Sequence, residues 1–210
     1  MNYSELHCHS YYSFHDGASS LEELIVRVKE LGYHALAITD HDNLCGAMPF
    51  AQLAKSLEIQ VIIGAEVTLQ GNHHLTLLAK NRQGYANLCR LITAAHAAGE
   101  RNKPELPPNL LPDHAAGLIV LSGCPKGKLP GLTTISRFDE AKAFVQQYLD
   151  WFGSDNYYIE LQQNLTYNDS QRVKDLLELA GKTGSKVVAT GNVHYHNRER
   201  HRLQDCLVAI

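Results

Sequence analysis

Residues 35–42 read Ala35-Leu36-Ala37-Ile38-Thr39-Asp40-His41-Asp42. The apolar run is too short for a helix and too continuous for a strand with one wet face. It fits a strand buried on both sides, as in a parallel sheet covered by helices. Polar and metal-competent groups follow it at once. Similar runs occupy residues 3–9, 60–64 (with a continuation to 69), 75–79, 117–122, 157–162 and 186–190. Between them lie amphipathic helical patterns. Ser20 and Glu23 form a capping box that opens a helix over 21–31, closed by Gly32. Further helices are expected over 46–57, 84–98, 139–152 and 170–183, with Gly99, Gly153 and Gly184 as terminators. Residues 70–73, Gln-Gly-Asn-His, read as a hairpin turn. Residues 102–112 hold four of the seven prolines and read as a loop. Residues 198–210 read as helical, with Leu203, Leu207 and Ile210 on one face and no cap at the end, the expected edge of a longer protein.

About seven strands alternating with five or six helices indicate βα units around a parallel sheet. A closed barrel and an open doubly wound sheet both fit this pattern. No glycine-rich phosphate loop follows the first strand, which counts against a nucleotide-binding open sheet.

The 210 residues, 44% hydrophobic, suit a single domain with a real core. A net charge of −3 is a poor footprint for sequence-independent coating of DNA. No run of 18 apolar residues suggests a membrane span, and the start of the chain has no secretory pattern. Five cysteines (8, 45, 89, 124 and 206) form no Cys-x-x-Cys pair, which fits reduced thiols and a cytoplasmic location. Twelve histidines are the anomaly, several paired or beside acids: His7/His9, His15-Asp16, Asp40-His41, His73/His74 and His194/His196.

In a strand, residues i and i+2 face one side, so His7 and His9 can point at one metal. Asp40 and His41 follow the second strand, Glu66 the third, Cys124 the fifth, and Asn192 with His194 the last. Each has a plain reading: strand-end surface histidines, a helix-capping Asp40, a solvated Glu66, a small buried Cys124. Five strands delivering such groups past their C-terminal ends favour a metal centre, because active sites of α/β folds are built on that face. Imidazole, carboxylate and one thiolate suit zinc, manganese or iron. The ligands outnumber the needs of one tetrahedral ion, so the centre is expected to be multinuclear, suited to phosphoester hydrolysis. Asp40 is expected to accept a hydrogen bond from a ligating imidazole. His34, His96, His114 and His201 read as ordinary surface or core histidines. Tyr157-Tyr158 and Trp151-Phe152 read as packing residues. No Gly-x-Ser-x-Gly or His-Glu-x-x-His motif occurs.

His7-Cys8-His9-Ser10, Ile38-Thr39-Asp40-His41, Gly64-Ala65-Glu66 and Val193-His194-Tyr195 resemble the PHP (polymerase and histidinol phosphatase) family. The segments from His74 to Asn81, Gly84 to Thr93 and Gly117 to Cys124 are similar to the N-terminal PHP domain of bacterial C-family DNA polymerases, most of all the error-prone branch. The resemblance covers residues 3–210. It implies a distorted seven-stranded β/α (TIM-like) barrel with two or three divalent transition-metal ions (zinc, manganese or iron). The implied ligands are His7, His9, Asp16, His41, Glu66, His74, Cys124, Asn192 and His194. The family has Asp where Asn192 stands, His15 is an alternative to Asp16, and His74 precedes its strand instead of following it. The resemblance implies one PHP domain over residues 1–210 of a polymerase serving replication or repair synthesis. It implies a phosphoesterase, with 3′–5′ exonuclease activity on a DNA 3′ end, and the rest of the polymerase chain as partner. Rival readings are a catalytically silent metal-binding module and a free-standing phosphatase similar to histidinol phosphatase.

Overall fold

A computed structural model describes residues 3–210. The chain forms two compact units, Met1–Ala65 with Gly191–Ile210, and Glu66–Thr190. The second is therefore an insertion into the sequence of the first.

The first unit contains β1 (Ser4–Glu5), α1 (Leu21–Glu30), β2 (Ala35–Ile38), α2 (Ala47–Leu57) and the opening of β3 (Gln60–Leu69). β1 and β2 run parallel, as do β2 and β3, in register from Ala35↔Gln60 to Ile38↔Ile63. The capping box forms: Glu23 N donates to Ser20 Oγ at 3.2 Å and Ser20 N to Glu23 Oε2 at 2.9 Å. The buried face of α1 (Leu21, Leu24, Ile25, Val28) packs with Leu36, Ile38, Phe50, Ala54 and Cys8. β1 is much shorter than the apolar run at 3–9 suggests, because side chains take over the ladder. The Glu5 carboxylate accepts His7 N and the Thr39 hydroxyl accepts Cys8 N, both at 3.0 Å.

The second unit carries the rest of β3, then β4 (His73–Ala79), α3 (Arg82–Ala98), β5 (Leu118–Leu121), α4 (Lys128–Thr134), α5 (Phe138–Phe152), β6 (Tyr157–Leu161), α6 (Asp169–Thr183) and β7 (Lys186–Ala189). Among the described residues the strands lie in chain order, β1 to β7. β5, β6 and β7 are parallel, but β4 runs antiparallel to β5, from Thr76↔Leu121 to Ala79↔Leu118. The sheet expected to be parallel thus has one reversed strand, in keeping with the hairpin turn expected at 70–73. Three residues join β3 to β4, a connection only antiparallel neighbours can make. The proline-rich loop is pinned by Leu106, whose N donates to Thr68 O at 2.8 Å and whose carbonyl accepts Gln70 N at 3.0 Å. Tyr148 and Tyr157, with ring centroids 5.6 Å apart, anchor a core that includes Leu75, Leu77, Leu88 and Leu91.

The last segment, 191–210, belongs to the first unit and ends in α7 (His201–Val208). Among the described residues no helix is long and apolar enough to cross a membrane.

Ile25 is fully buried and its neighbour Val26 is 47% exposed. Ile25→Ala should lower unfolding free energy by about 2–5 kcal/mol, and Val26→Ala by less than about 1 kcal/mol. Chemical denaturation followed by circular dichroism measures both.

Candidate functional site

In the first unit, the strand-like segment after β1 pairs in parallel with the segment leading out of β7, at Cys8↔Val193. His9 N donates to Val193 O at 2.7 Å and Val193 N to His7 O at 2.9 Å. Alternation does the rest. Cys8 and Val193 pack with the apolar core, so their neighbours His7, His9 and His194 point to the opposite side, and Asn192, whose backbone turns there at φ +50°, reaches His9.

The imidazoles gather there. His9 stacks on His41 at 4.4 Å and on His194 at 4.7 Å between ring centroids, with His7 5.1 Å away. Asp16 Oδ2 lies 2.9 Å from His41 Nε2 and 3.1 Å from His194 Nε2. Asn192 Oδ1 lies 3.2 Å from His9 Nε2. His15, the alternative to Asp16, is exposed. Burial alone would raise the Asp16 carboxyl, but its hydrogen bonds to His194 and His41 outweigh that and hold it well below the usual carboxylate range.

The donor set fits a divalent transition ion. His194 Nδ1 is 2.8 Å from Asn192 O, a carbonyl that only accepts, so Nδ1 carries the ring hydrogen. Nε2 meets Asp16 Oδ2, an acceptor, at 3.1 Å. A ring hydrogen satisfies this contact and a cation can take its place between the two atoms; nitrogen and oxygen donors in this mixture suit zinc, manganese or iron.

Asp40 departs from expectation. Its carboxylate accepts Ser10 N at 2.7 Å, Ser10 Oγ at 2.8 Å and Ser13 Oγ at 2.8 Å, and among the described residues no imidazole directly. Its short side chain is taken up in holding the loop at 10–17. Burial pushes this carboxyl up, against the pull of those donors. The loop closes at Gly17, where a Cβ would stand 1.9 Å from Ser10 O.

The second unit contributes three further candidates. His74 Nδ1 is 3.1 Å from Glu66 Oε2 and 3.4 Å from Cys124 Sγ, and all three residues are buried. The reversal of β4 accounts for His74: the start of an antiparallel strand shares an edge with the C-terminal ends of its parallel neighbours. The side chain of His74 is turned inward, while His73 is half-buried. Gly123, at φ +95°, brings Cys124 against β4; a Cβ there would lie 2.4 Å from His74 O. Burial and the adjacent Glu66 carboxylate push the Cys124 thiol far up, so in the absence of a cation it is protonated.

Two residues escaped the sequence reading. Ser13 links Asp40 to His9, and a serine carries no titration or ligand signal. Glu160, buried on β6, accepts from Gln162 Nε2 at 3.0 Å and from Thr190 Oγ1 at 2.5 Å. The available signal was an acid inside the apolar run Tyr157-Tyr158-Ile159-Glu160-Leu161.

Strands in chain order, helices between all but β3 and β4, and titratable groups mostly past the strand ends define an α/β protein of the β/α-barrel type. The PHP domain family matches residues 5–164, and the chain belongs to that family. The error-prone DNA polymerase of Symbiobacterium thermophilum is 40% identical over 226 residues, covering 100% of this chain and 21% of the polymerase. DNA polymerase III subunit alpha of Treponema pallidum is 39% identical over 224 residues, covering 100% of this chain and 19% of that one. The chain thus spans about a fifth of the length of these relatives, in their N-terminal part. Among solved structures, a protein assigned as a metal-dependent phosphoesterase from Bifidobacterium adolescentis superposes with a TM-score of 0.59 at 15% identity, covering 98% of this chain and 96% of that one. Histidinol phosphate phosphatase from Lactococcus lactis, complexed with zinc, L-histidinol and phosphate, gives 0.51 at 12% identity, covering 99% and 93%. At these identities the likeness is one of fold, the distorted seven-stranded barrel of the PHP type.

Gly17→Ala forces the 10–17 loop off Ser10. It should cost roughly 1–3 kcal/mol of stability, as overpacking does. It should also move the imidazole ¹⁵N signals of His41 and His194, both of which meet Asp16. Thermal denaturation and histidine-detected NMR check the two effects.

Proposed function

We propose that residues 1–210 form the PHP domain of a longer bacterial DNA polymerase and act as a metal-dependent phosphoesterase on the 3′ end of DNA, a 3′–5′ exonuclease. The observation that carries this reading is the His9–His41–His194 stack around the Asp16 carboxylate, where imidazole nitrogens meet carboxylate oxygen at 2.9 and 3.1 Å. The polymerase relatives support the substrate class, since they match across the whole of this chain, whereas the phosphatase likeness is one of fold alone. The five thiols are all free of disulfides, which suits a reducing cytoplasm.

In this reading His7, His9, Asp16, His41, Asn192 and His194 hold divalent ions from the first unit. The family resemblance adds Glu66, His74 and Cys124 from the second, for two or three ions of zinc, manganese or iron. Such ions lower the pKa of water toward neutrality and offset the charge that develops on a phosphoester. The chain's own residues hold and orient. Asp16 keeps a negative charge between two imidazoles, Asn192 Oδ1 faces His9, and the Cys8–Val193 pairing fixes the backbone beneath them.

A second reading, a metal-binding but catalytically silent module, is favoured by Asn192. An amide oxygen can ligate, but it has no charge to offset closely spaced cations. Metal analysis combined with hydrolysis of a 3′-labelled primer, p-nitrophenyl phosphate and histidinol phosphate, each with manganese and with zinc, separates these readings. The exonuclease reading expects primer shortening that a chelator abolishes and that His9→Ala reduces by more than about 100-fold, beyond the roughly 10–100-fold that loss of an outer contact costs. Metal bound without any hydrolysis would leave the silent module.

Asn192 has φ +50°, a backbone conformation that Asp also tolerates well. A unit charge about 4 Å from a cation contributes roughly 4 kcal/mol at an effective dielectric of about 20, before desolvation is subtracted. Asn192→Asp should therefore tighten manganese binding by about tenfold or more, read by calorimetric titration, and raise primer hydrolysis. Unchanged affinity would mean that Asn192 serves only its turn.

A further inference from the structure

Ser13 Oγ sits at a junction of three groups in the first unit. It donates to Asp40 Oδ1 at 2.8 Å, accepts His41 N at 3.1 Å, and lies 3.1 Å from His9 Nδ1. A hydroxyl has one hydrogen and two acceptor lone pairs. Asp40 Oδ1 also receives Ser10 N at 2.7 Å, so it acts as an acceptor and takes the Ser13 hydrogen. One lone pair of Ser13 is used by His41 N–H. The only capacity left toward His9 is the second lone pair, so His9 Nδ1 must supply the hydrogen. A neutral imidazole carries one ring hydrogen. In that neutral form His9 Nε2 presents a lone pair 3.2 Å from Asn192 Oδ1, an acceptor, and a cation between the two reconciles them.

We infer that Ser13 is a positioning residue that relays the acceptor strength of buried Asp40 to His9, fixing His9 as the Nδ1–H tautomer so that Nε2 is a ready donor to a divalent cation. This rests on the metal-dependent reading of the site. It replaces the direct carboxylate–imidazole contact that commonly orients a ligating histidine. The reason for the intermediary lies in the loop: Asp40 also holds Ser10, and one carboxylate can fix both the loop and the ring if Ser13 extends its reach. A rival account makes Ser13 a brace for the loop alone, in which case the His9 tautomer is indifferent to it.

The test needs no bound metal. The chain, stripped with a chelator and carrying ¹⁵N histidine, is examined by long-range ¹H–¹⁵N correlation at a pH where imidazoles are neutral, with His9 assigned by the signal missing in His9→Gln. His9 is expected in the Nδ1–H form. Ser13→Ala should release it to the Nε2–H form or a mixture, and Ser13→Thr, which keeps the hydroxyl, should restore it. Manganese affinity should fall about 10–100-fold in Ser13→Ala and recover in Ser13→Thr. An Nε2–H His9 in the wild-type chain, or a tautomer unmoved in folded Ser13→Ala, overturns the proposal. Should Ser13→Ala fail to fold, the wild-type and Ser13→Thr spectra decide alone, since the Nδ1–H form is required of both. Primer hydrolysis is scored separately. A relay intact in a chain that cuts nothing would reject the exonuclease reading and keep Ser13 in its place.

Discussion

The pairing of Cys8 with Val193 is the constraint on which the first unit's chemistry depends. Two tripeptides, His7-Cys8-His9 and Asn192-Val193-His194, lie side by side in parallel. Each middle residue is committed to the apolar core that α1 and α2 build. A strand-like backbone has only two faces, so burial of Cys8 and Val193 sends His7, His9 and His194 to the other side, while Asn192, at φ +50°, is placed by its turn. The energetics sit on the apolar side, where burial is worth about 25 cal/mol per Å². The imidazoles are thus assembled by hydrophobic packing beneath them, and need not stabilise the fold themselves.

Much of the fold was legible because its strands are short apolar runs between amphipathic helices, and burial on both faces writes itself into composition. Gln60–Leu69 and Lys186–Ala189 fall where the pattern puts them. Direction is not written in the same way. β4 is as apolar as its parallel neighbours, so its reversal is invisible in the run and visible only in the Gln70-Gly71-Asn72 turn before it. α4 was illegible for another reason. Lys128–Thr134 contains Pro130, Gly131 and two threonines, poor helix formers, and it is helical because Leu129, Pro130 and Leu132 are buried by tertiary packing.

The candidate site was legible where period-two spacing meets a recognisable ligand type, as at His7/His9 and Asn192/His194. It was illegible where the chemistry is carried by an ordinary residue in a loop. Ser13 looks like any turn serine, and its importance arises from a hydrogen-bond count that spans Asp40, His41 and His9, three positions set by three different local structures. His74 stood between these cases. Its residue type is telling, but its place before a strand makes sense only once that strand is known to run backward.

Three acids of the first unit, buried Glu5 and Asp40 and half-buried Asp16, divide their work according to the donors they meet. Glu5 meets His7 N, Gly191 N and the Tyr3 hydroxyl, so its charge is spent on the backbone beneath the two tripeptides. Asp40 meets Ser10 and Ser13, so its charge holds the loop and reaches the imidazoles only through a hydroxyl. For both, burial is the largest influence and pushes the carboxyl up. Asp16 alone of the three meets imidazole nitrogens, and it alone is held well below the usual range. A carboxylate that stays ionised beside ring nitrogens can share a cation with them, whereas one saturated by N–H and O–H donors has little capacity left for it. Asn192, uncharged and facing His9, adds no second anion on that side. Of these three acids, Asp16 is the one whose charge faces the imidazoles, and the geometry of the 10–17 loop, closed at Gly17 and tied to Asp40, is what sets where that charge stands.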